Sequence, residues 1–158
     1  MTIASGTPLS DVYDQFLSLV KDYRLTNLFN LSPDHTEFEA YLLGWLIPAI
    51  RDFNICDQSL EYSGNNFFET LTEKNIVMLA QLLKKYWLEK EIDDITQMNL
   101  HVQDRDFKTF SENANMLAKQ TRYNMEKEEV SQLLVNYSLK DKDMWQAWLN
   151  GNFFPMGG

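Results

Sequence analysis

Residues 72–95 read TEKNIVMLAQLLKKYWLEKEIDDI, and residues 106–137 read DFKTFSENANMLAKQTRYNMEKEEVSQLLVNY. In the first string Ile76, Leu79, Leu83, Tyr86 and Trp87 recur at intervals of three and four, with Leu82 beside them. In the second the same spacing runs through Phe107, Phe110, Ala114, Leu117 and Ala118, then Met125, Val130, Leu133 and Leu134. Such intervals gather side chains on one side of a helix. The spacing predicts two amphipathic helices, Thr72 to about Ile95 and Asp106 to about Tyr137, joined by a polar loop and packed as an antiparallel pair. Neither string contains a reaction centre.

The segments before this pair add helices. Thr7-Pro8 offers a capping hydroxyl followed by proline at a first helical position. A helix is expected from about Pro8 to Tyr23, with Leu9, Val12, Phe16, Leu19 and Val20 inward. Arg24 to Leu31 reads equally as a short helical turn or an apolar loop. Ser32-Pro33 repeats the capping signal and predicts a helix from about Pro33 to Phe53. Its inward residues are Phe38, Tyr41, Leu42, Trp45, Leu46, Ala49, Ile50 and Phe53. Pro48 interrupts this pattern and removes one backbone hydrogen bond, so a kink is expected there.

Asn54 to Leu71 changes character. Ser63-Gly64-Asn65-Asn66 is turn chemistry, flanked by Leu60-Glu61-Tyr62 and Phe67-Phe68-Glu69, which could pair as a short β-hairpin. Long connections in compact domains often carry function, which makes Tyr62, Asn65, Asn66 and Phe67 a candidate contact loop. The competing reading has Ile55, Leu60, Phe67, Phe68 and Leu71 covering the core. Thr96 to Arg105 reads as a loop with a short extended segment at Met98, Leu100 and Val102. The charged run Met125 to Glu129 is a place where the last helix could divide. After residue 139 the chain packs Trp145, Trp148, Leu149, Phe153, Phe154 and Met156 into a few positions. That is too apolar for a solvated tail, so these six are candidate partner-binding residues, seated on this domain or on a neighbour. The expected fold is mostly α. A bundle of about four helices with a short β-hairpin occupies residues 1–139, and an extended aromatic C-terminal docking tail occupies 140–158.

Composition narrows the function classes. The chain carries 23 acidic and 14 basic residues, a net charge of −9, which disfavours broad binding to nucleic-acid backbone. The single cysteine, Cys56, has no partner for an internal disulfide and suits a reducing compartment. The N-terminus lacks the basic and apolar regions of a signal peptide. The most apolar piece, Leu42 to Ile50, is far short of the roughly 20 residues that span a bilayer. No phosphate-binding, dinucleotide, zinc-protease or nucleophile-elbow motif occurs. His35 with Glu37 and Glu39, or His101 with Asp104 and Asp106, has the residue types of a metal site, but a solvated helix start and an exposed loop explain them better. Cys56 has neither a base nor a basic setting nearby, as a nucleophile requires. The acidic pairs Glu89/Glu91, Asp93/Asp94 and Glu128/Glu129 lie among lysines and read as solvated helix faces. Neither an enzyme nor a cofactor is expected.

The run Phe68, Leu71-Thr72, Ile76, Leu79-Ala80 and Trp87-Leu88, then Asp106-Phe107-Lys108, Phe110-Ser111, Ala114-Asn115 and Leu117, resembles head–tail connectors (neck adaptors) of tailed phages of Gram-positive hosts. The likeness covers about a third of the chain, and its motifs are structural. It implies a helical bundle that self-associates in a ring beneath the portal and contacts a stopper or tail protein. It also implies a place in the neck of a virion assembled in the host cytoplasm, with no membrane contact. DNA would pass an acidic bore without specific binding. Trp145, Trp148, Phe153 and Phe154 would be the portal anchors by position and chemistry. The alternative is a small acidic regulator or DNA mimic that binds a host or phage protein through Glu89, Asp93, Glu128 and their neighbours.

Overall fold

The computed structural model describes residues 6–102 and 109–140. Among them are five helices: α1 (Leu9–Leu19), α2 (Tyr23–Leu31), α3 (Thr36–Asp52), α4 (Glu73–Val102) and α5 (Thr109–Lys140). Two short antiparallel strands, β1 (Tyr62–Ser63) and β2 (Asn66–Phe67), separate α3 from α4. The mostly helical bundle with a small hairpin is therefore present.

Capping explains where the elements begin. Asp22 accepts hydrogen bonds from the Arg24 and Leu25 amides at 2.7 and 3.1 Å and so starts α2. The chain turns extended at Val20, and α1 stops at Leu19 instead of reaching Tyr23. Arg24 to Leu31 thus resolves as helix. Likewise α3 begins at Thr36 and not at Pro33. Asp34 accepts from the Ser32 and Thr36 hydroxyls at 2.6 and 3.1 Å, and His35 takes a left-handed φ of 55° before the helix. The α3 helix continues through Pro48 to Asp52. Thr72 caps α4 as expected, its hydroxyl 3.4 Å from the Asn75 amide.

The core lies where α1 and α3 pack on the first half of α4. Phe16, Phe38, Leu42, Leu46, Leu79, Leu82 and Leu83 are almost fully buried there. The Phe16 ring meets the edge of Trp87 at 6.0 Å. At 30 residues, α4 is about 45 Å long. Beyond Ile92 none of its described side chains is buried, and α5 rests chiefly on α4. The fold is a body of α1, α3 and the first half of α4, joined by α2 and the end of α5, from which the far part of the α4–α5 pair continues as a two-helix arm.

Three expectations about this hairpin change. Thr96 to Val102 is not a loop: α4 runs through it, and Thr96 follows the helical pattern by donating its hydroxyl to the Ile92 carbonyl at 2.8 Å. The α5 helix does not divide at Met125 to Glu129. Ala114, Leu117, Ala118 and Met125 do not face inward; all four are exposed, Leu117 and Met125 at 68% and 69%. The Phe107 and Phe110 side chains lie outside the described residues.

The seam of the hairpin is formed by Met116, Lys119, Tyr123, Glu126, Val130, Leu133 and Tyr137, all half-buried or buried. This is an unbroken alternation of three- and four-residue steps, the spacing of a coiled-coil seam. It carries charge in place of the expected apolar stripe. Lys84 Nζ meets Glu126 Oε2 at 2.7 Å, and Lys119 Nζ meets Glu91 Oε2 at 3.5 Å. Glu91, expected on a solvated face, is buried because this pair neutralises it.

At the other end of the body the β1–β2 hairpin and the residues after it clamp the N-terminal segment. Thr7 donates its amide to Glu69 O at 3.0 Å and accepts from the Phe67 amide at 2.9 Å. The Leu9 amide reaches Asn65 O at 2.8 Å, and the Thr7 hydroxyl accepts from the Leu71 amide at 2.7 Å. Gly64, with φ of 58°, supplies the positive φ that so tight a hairpin requires. Gly6 is needed for a different reason. A Cβ there would stand 1.8 Å from the Phe67 carbonyl oxygen, and backbone cannot swing aside. Gly6→Ala is therefore expected to destabilise the fold by about 1–3 kcal/mol, read from thermal or urea unfolding.

Candidate functional site

Part of the connection expected to carry contacts is built into the core. Phe67 is 1% exposed and packs in the core, so it is withdrawn as a contact residue. Its burial follows from the register: Tyr62 pairs with Phe67, and the edge-to-face rings lie 6.2 Å apart over the body. Tyr62 is half-buried, whereas Asn65 and Asn66 are exposed. Asn65 and Asn66 nevertheless spend backbone or side-chain polar groups on Leu9 and Gly6. The neighbouring Phe68, at 55% exposed, is the apolar side chain this loop presents outward. Sequence alternation signals that one of two adjacent phenylalanines points in, but not which one.

Asp57, at the start of the same connection, belongs to a polar cluster that sequence reading missed. Tyr137, near the end of α5, donates its hydroxyl to the Asp57 carboxylate and accepts from the Asp57 amide at 3.0 Å. The Tyr137 oxygen also lies 2.8 Å from Asn75 Oδ1. The Asn75 amide donates to Asp57 Oδ1 at 2.8 Å and to Gln58 Oε1 at 2.7 Å, and Gln58 donates to Thr70 O at 3.0 Å. The Tyr137 ring meets Phe53 edge-on at 5.0 Å, and Lys74 Nζ stands 3.8 Å from the ring centre. These bonds tie three elements distant in sequence: the end of α5, the start of α4 and the connection after α3. The Tyr137 hydroxyl and then the Asn75 amide hold the Asp57 carboxyl below its usual value. Desolvation and the nearby carboxylate push the Tyr137 phenol well above its usual range, so it stays a proton donor.

Cys56 adjoins this cluster, its sulfur 3.9 Å from the Tyr137 hydroxyl. Burial raises its thiol pKa, which keeps it protonated near neutrality. His35 stacks on Phe29 with ring centres 3.8 Å apart, and its Nδ1 donates to the Phe29 carbonyl at 2.7 Å, far along the chain from Cys56. Among the described residues no group of three or more histidine, cysteine or acidic side chains is placed to hold a metal ion. The His101 side chain lies outside the described residues, as do Asp104 and Asp106.

Two surfaces remain. One is a groove of about 800 Å³ between the start of α4 and the end of α5, lined by Val77, Met78, Gln81, Leu133, Tyr137 and Leu139 among others. The other is the outer side of α5. Leu117, Met125 and Val135, 68%, 69% and 50% exposed, fall within one arc of the helix, opposite the seam residues. The candidate docking residues Trp145, Trp148, Leu149, Phe153, Phe154 and Met156 lie outside the described residues. Of the acidic residues, Glu89, Asp93, Glu128 and Glu129 are exposed. No helix among the described residues is long and apolar enough to cross a membrane. No protein-family model, curated protein or solved structure matches the chain.

Proposed function

We propose that this chain is a structural virion protein of a tailed phage, a head–tail connector that assembles as a ring between the portal and the stopper or tail. The observation that carries the reading is the outer face of α5. A helix whose inner seam is stitched by ion pairs, and whose outer face holds Leu117, Met125 and Val135, has exposed apolar side chains turned away from its own domain. Exposed apolar side chains on one face of a helix suit a protein interface, and in a ring the neighbouring copy covers them. The resemblance between Phe68 and Leu117 supports the same class. Exposed Glu89, Asp93, Glu128 and Glu129 suit a bore through which DNA slides, since like charges repel. The aromatic tail is the element that docks on the portal.

The test is quantitative mass spectrometry of purified particles from the source. A copy number close to that of the portal protein supports the connector. Absence from intact particles overturns it and leaves the acidic regulator, which reversing Glu89, Asp93 and Glu128 to lysine should disable. On the connector reading, Leu117→Asp with Met125→Asp should abolish self-association and particle assembly. Its unfolding free energy should stay within about 0.5 kcal/mol of the parent, because both positions are exposed.

A further inference from the structure

We infer that copies of this chain meet head to tail, the outer face of α5 in one copy taking the exposed face of α2 from the next. This pairing rests on the ring reading and gives the neighbouring copy a defined surface.

The first observation is the order of packing. The α2 helix packs chiefly on α3, α3 on α4, and α4 on α5, so α2 and α5 stand at the two ends of that order. Both ends hold large apolar side chains out to solvent. On α2 these are Tyr23 and Leu31, 80% and 67% exposed, and on α5 they include Met125 and Val135. Covering such groups favours association. When two different surfaces of one chain fit each other, the contact repeats from copy to copy and closes into a ring where the rotation allows. A face that met only itself would stop at a dimer.

The second is the match of the two faces. Tyr23, Asn27 and Leu31 follow steps of four along one arc of α2, about 12 Å from first to last. Met125, Glu128, Gln132 and Val135 share one arc of α5, about 15 Å long. Every one of these residues is exposed. Each arc has apolar groups at its ends and polar groups between them, so Asn27 can meet Gln132 while the apolar ends cover one another.

The third is charge. Arg24, exposed at the flank of the α2 arc, is the one charged residue within that helix, and exposed Lys21 precedes it. Glu128 is the charge on the α5 arc. Neither Arg24 nor Glu128 takes part in an ion pair among the described residues. Opposite charges on the two faces favour α2 on α5, whereas a second α5 face would offer Glu128 no cation. Glu128 then belongs to the contact, and Glu89, Asp93 and Glu129 are the carboxylates left to the bore.

The experiment follows sedimentation of the full chain over a range of concentrations. The parent should self-associate. One variant disarms α2 (Tyr23→Asp with Leu31→Asp) and another disarms α5 (Met125→Asp with Val135→Asp). Each alone should sediment as a monomer. Mixed in equal amounts they should form a heterodimer and go no further, because the first keeps its α5 face and the second its α2 face. Arg24→Glu and Glu128→Arg should each weaken association roughly fivefold, and both changes in one chain should restore it. The pairing is overturned if the variant with disarmed α2 associates as the parent does, if the mixture stays monomeric, or if the parent is monomeric throughout. Copy number in purified particles is measured separately, so a failed contact and a failed connector reading are told apart.

Discussion

Replacing Lys84 with methionine is expected to lower the unfolding free energy by about 3–5 kcal/mol, measured from urea midpoints with unchanged slope. The Lys84 ammonium lies 2.7 Å from Glu126 Oε2, and the two side chains are only 13% and 6% exposed. Glu126 Oε1 has no hydrogen-bond partner among the described residues, so this carboxylate already depends on one cation. Methionine keeps the bulk of the lysine stem but leaves a buried charge alone. Changing both partners, Lys84→Met with Glu126→Leu, should recover most of the loss, because the desolvation cost then vanishes together with the attraction. A single-variant loss below about 1 kcal/mol would show that the pair behaves as a surface ion pair. The second pair is weaker: at 3.5 Å, with Lys119 32% exposed, its disruption should cost about 1 kcal/mol. Together the pairs also select a register. Sliding α5 by one heptad in one direction sets Lys84 against Lys119, and in the other sets Glu91 against Glu126. Either slip opposes like charges in a buried seam, which an all-apolar seam would not prevent.

Those same pairs explain where sequence reading succeeds and fails. The inward faces of α1 and α3 were legible because Val12, Phe16, Leu42, Leu46 and Phe53 are apolar and spaced to a helix, and burial follows hydrophobicity there. The antiparallel hairpin and the Gly64 turn were legible from turn chemistry. On α5 the rule inverts. Its apolar residues point out and its seam holds Lys119, Tyr123 and Glu126, so a search for the apolar stripe selects the wrong side. The regular steps from Met116 to Tyr137 were present in the string. They could be found only by allowing a lysine and a glutamate to pair with Glu91 and Lys84 on another helix, which single-helix periodicity does not show. Thr96 to Val102 misled in a similar way: short alternation of polar and apolar residues suits a strand, but helix propagation from a well-capped start overrode it. The Tyr137 cluster was invisible because Asp57, Asn75 and Tyr137 lie 18 and 62 residues apart and have no local signature. Phe67 was legible as core or contact, and the Tyr62–Phe67 pairing decides for core.

The second large effect lies at that cluster. Tyr137→Ala should cost about 3–5 kcal/mol, since it empties a buried ring site against Phe53 and deletes the hydroxyl. Tyr137→Phe separates the two contributions. The ring remains, and Asn75, which is fully buried, loses one partner, so about 1–3 kcal/mol should be lost. The phenylalanine variant should also change the acid limb of stability. In the native chain the Tyr137 hydroxyl and the Asn75 amide hold the Asp57 carboxyl below its ordinary value. Their stabilising contribution is fully present above the unfolded value, about pH 4, and is lost as pH falls through the lower native value. Removing the hydroxyl lets the native value rise towards the unfolded one, so the stability curve of Tyr137→Phe should be flatter below pH 4 than that of the parent. Asp57 is solvent-exposed, so this slope is modest beside the packing loss. Parallel acid limbs for the two proteins would place the carboxylate's stabilisation on Asn75 and Lys74 instead of Tyr137. The consequence reaches past stability. Tyr137 stands in the floor of the groove and two residues before Leu139. Loosening this end of α5 should therefore disturb the lining of the groove, whereas Lys84→Met acts further along the seam and should leave that lining intact once folding is restored by the double change.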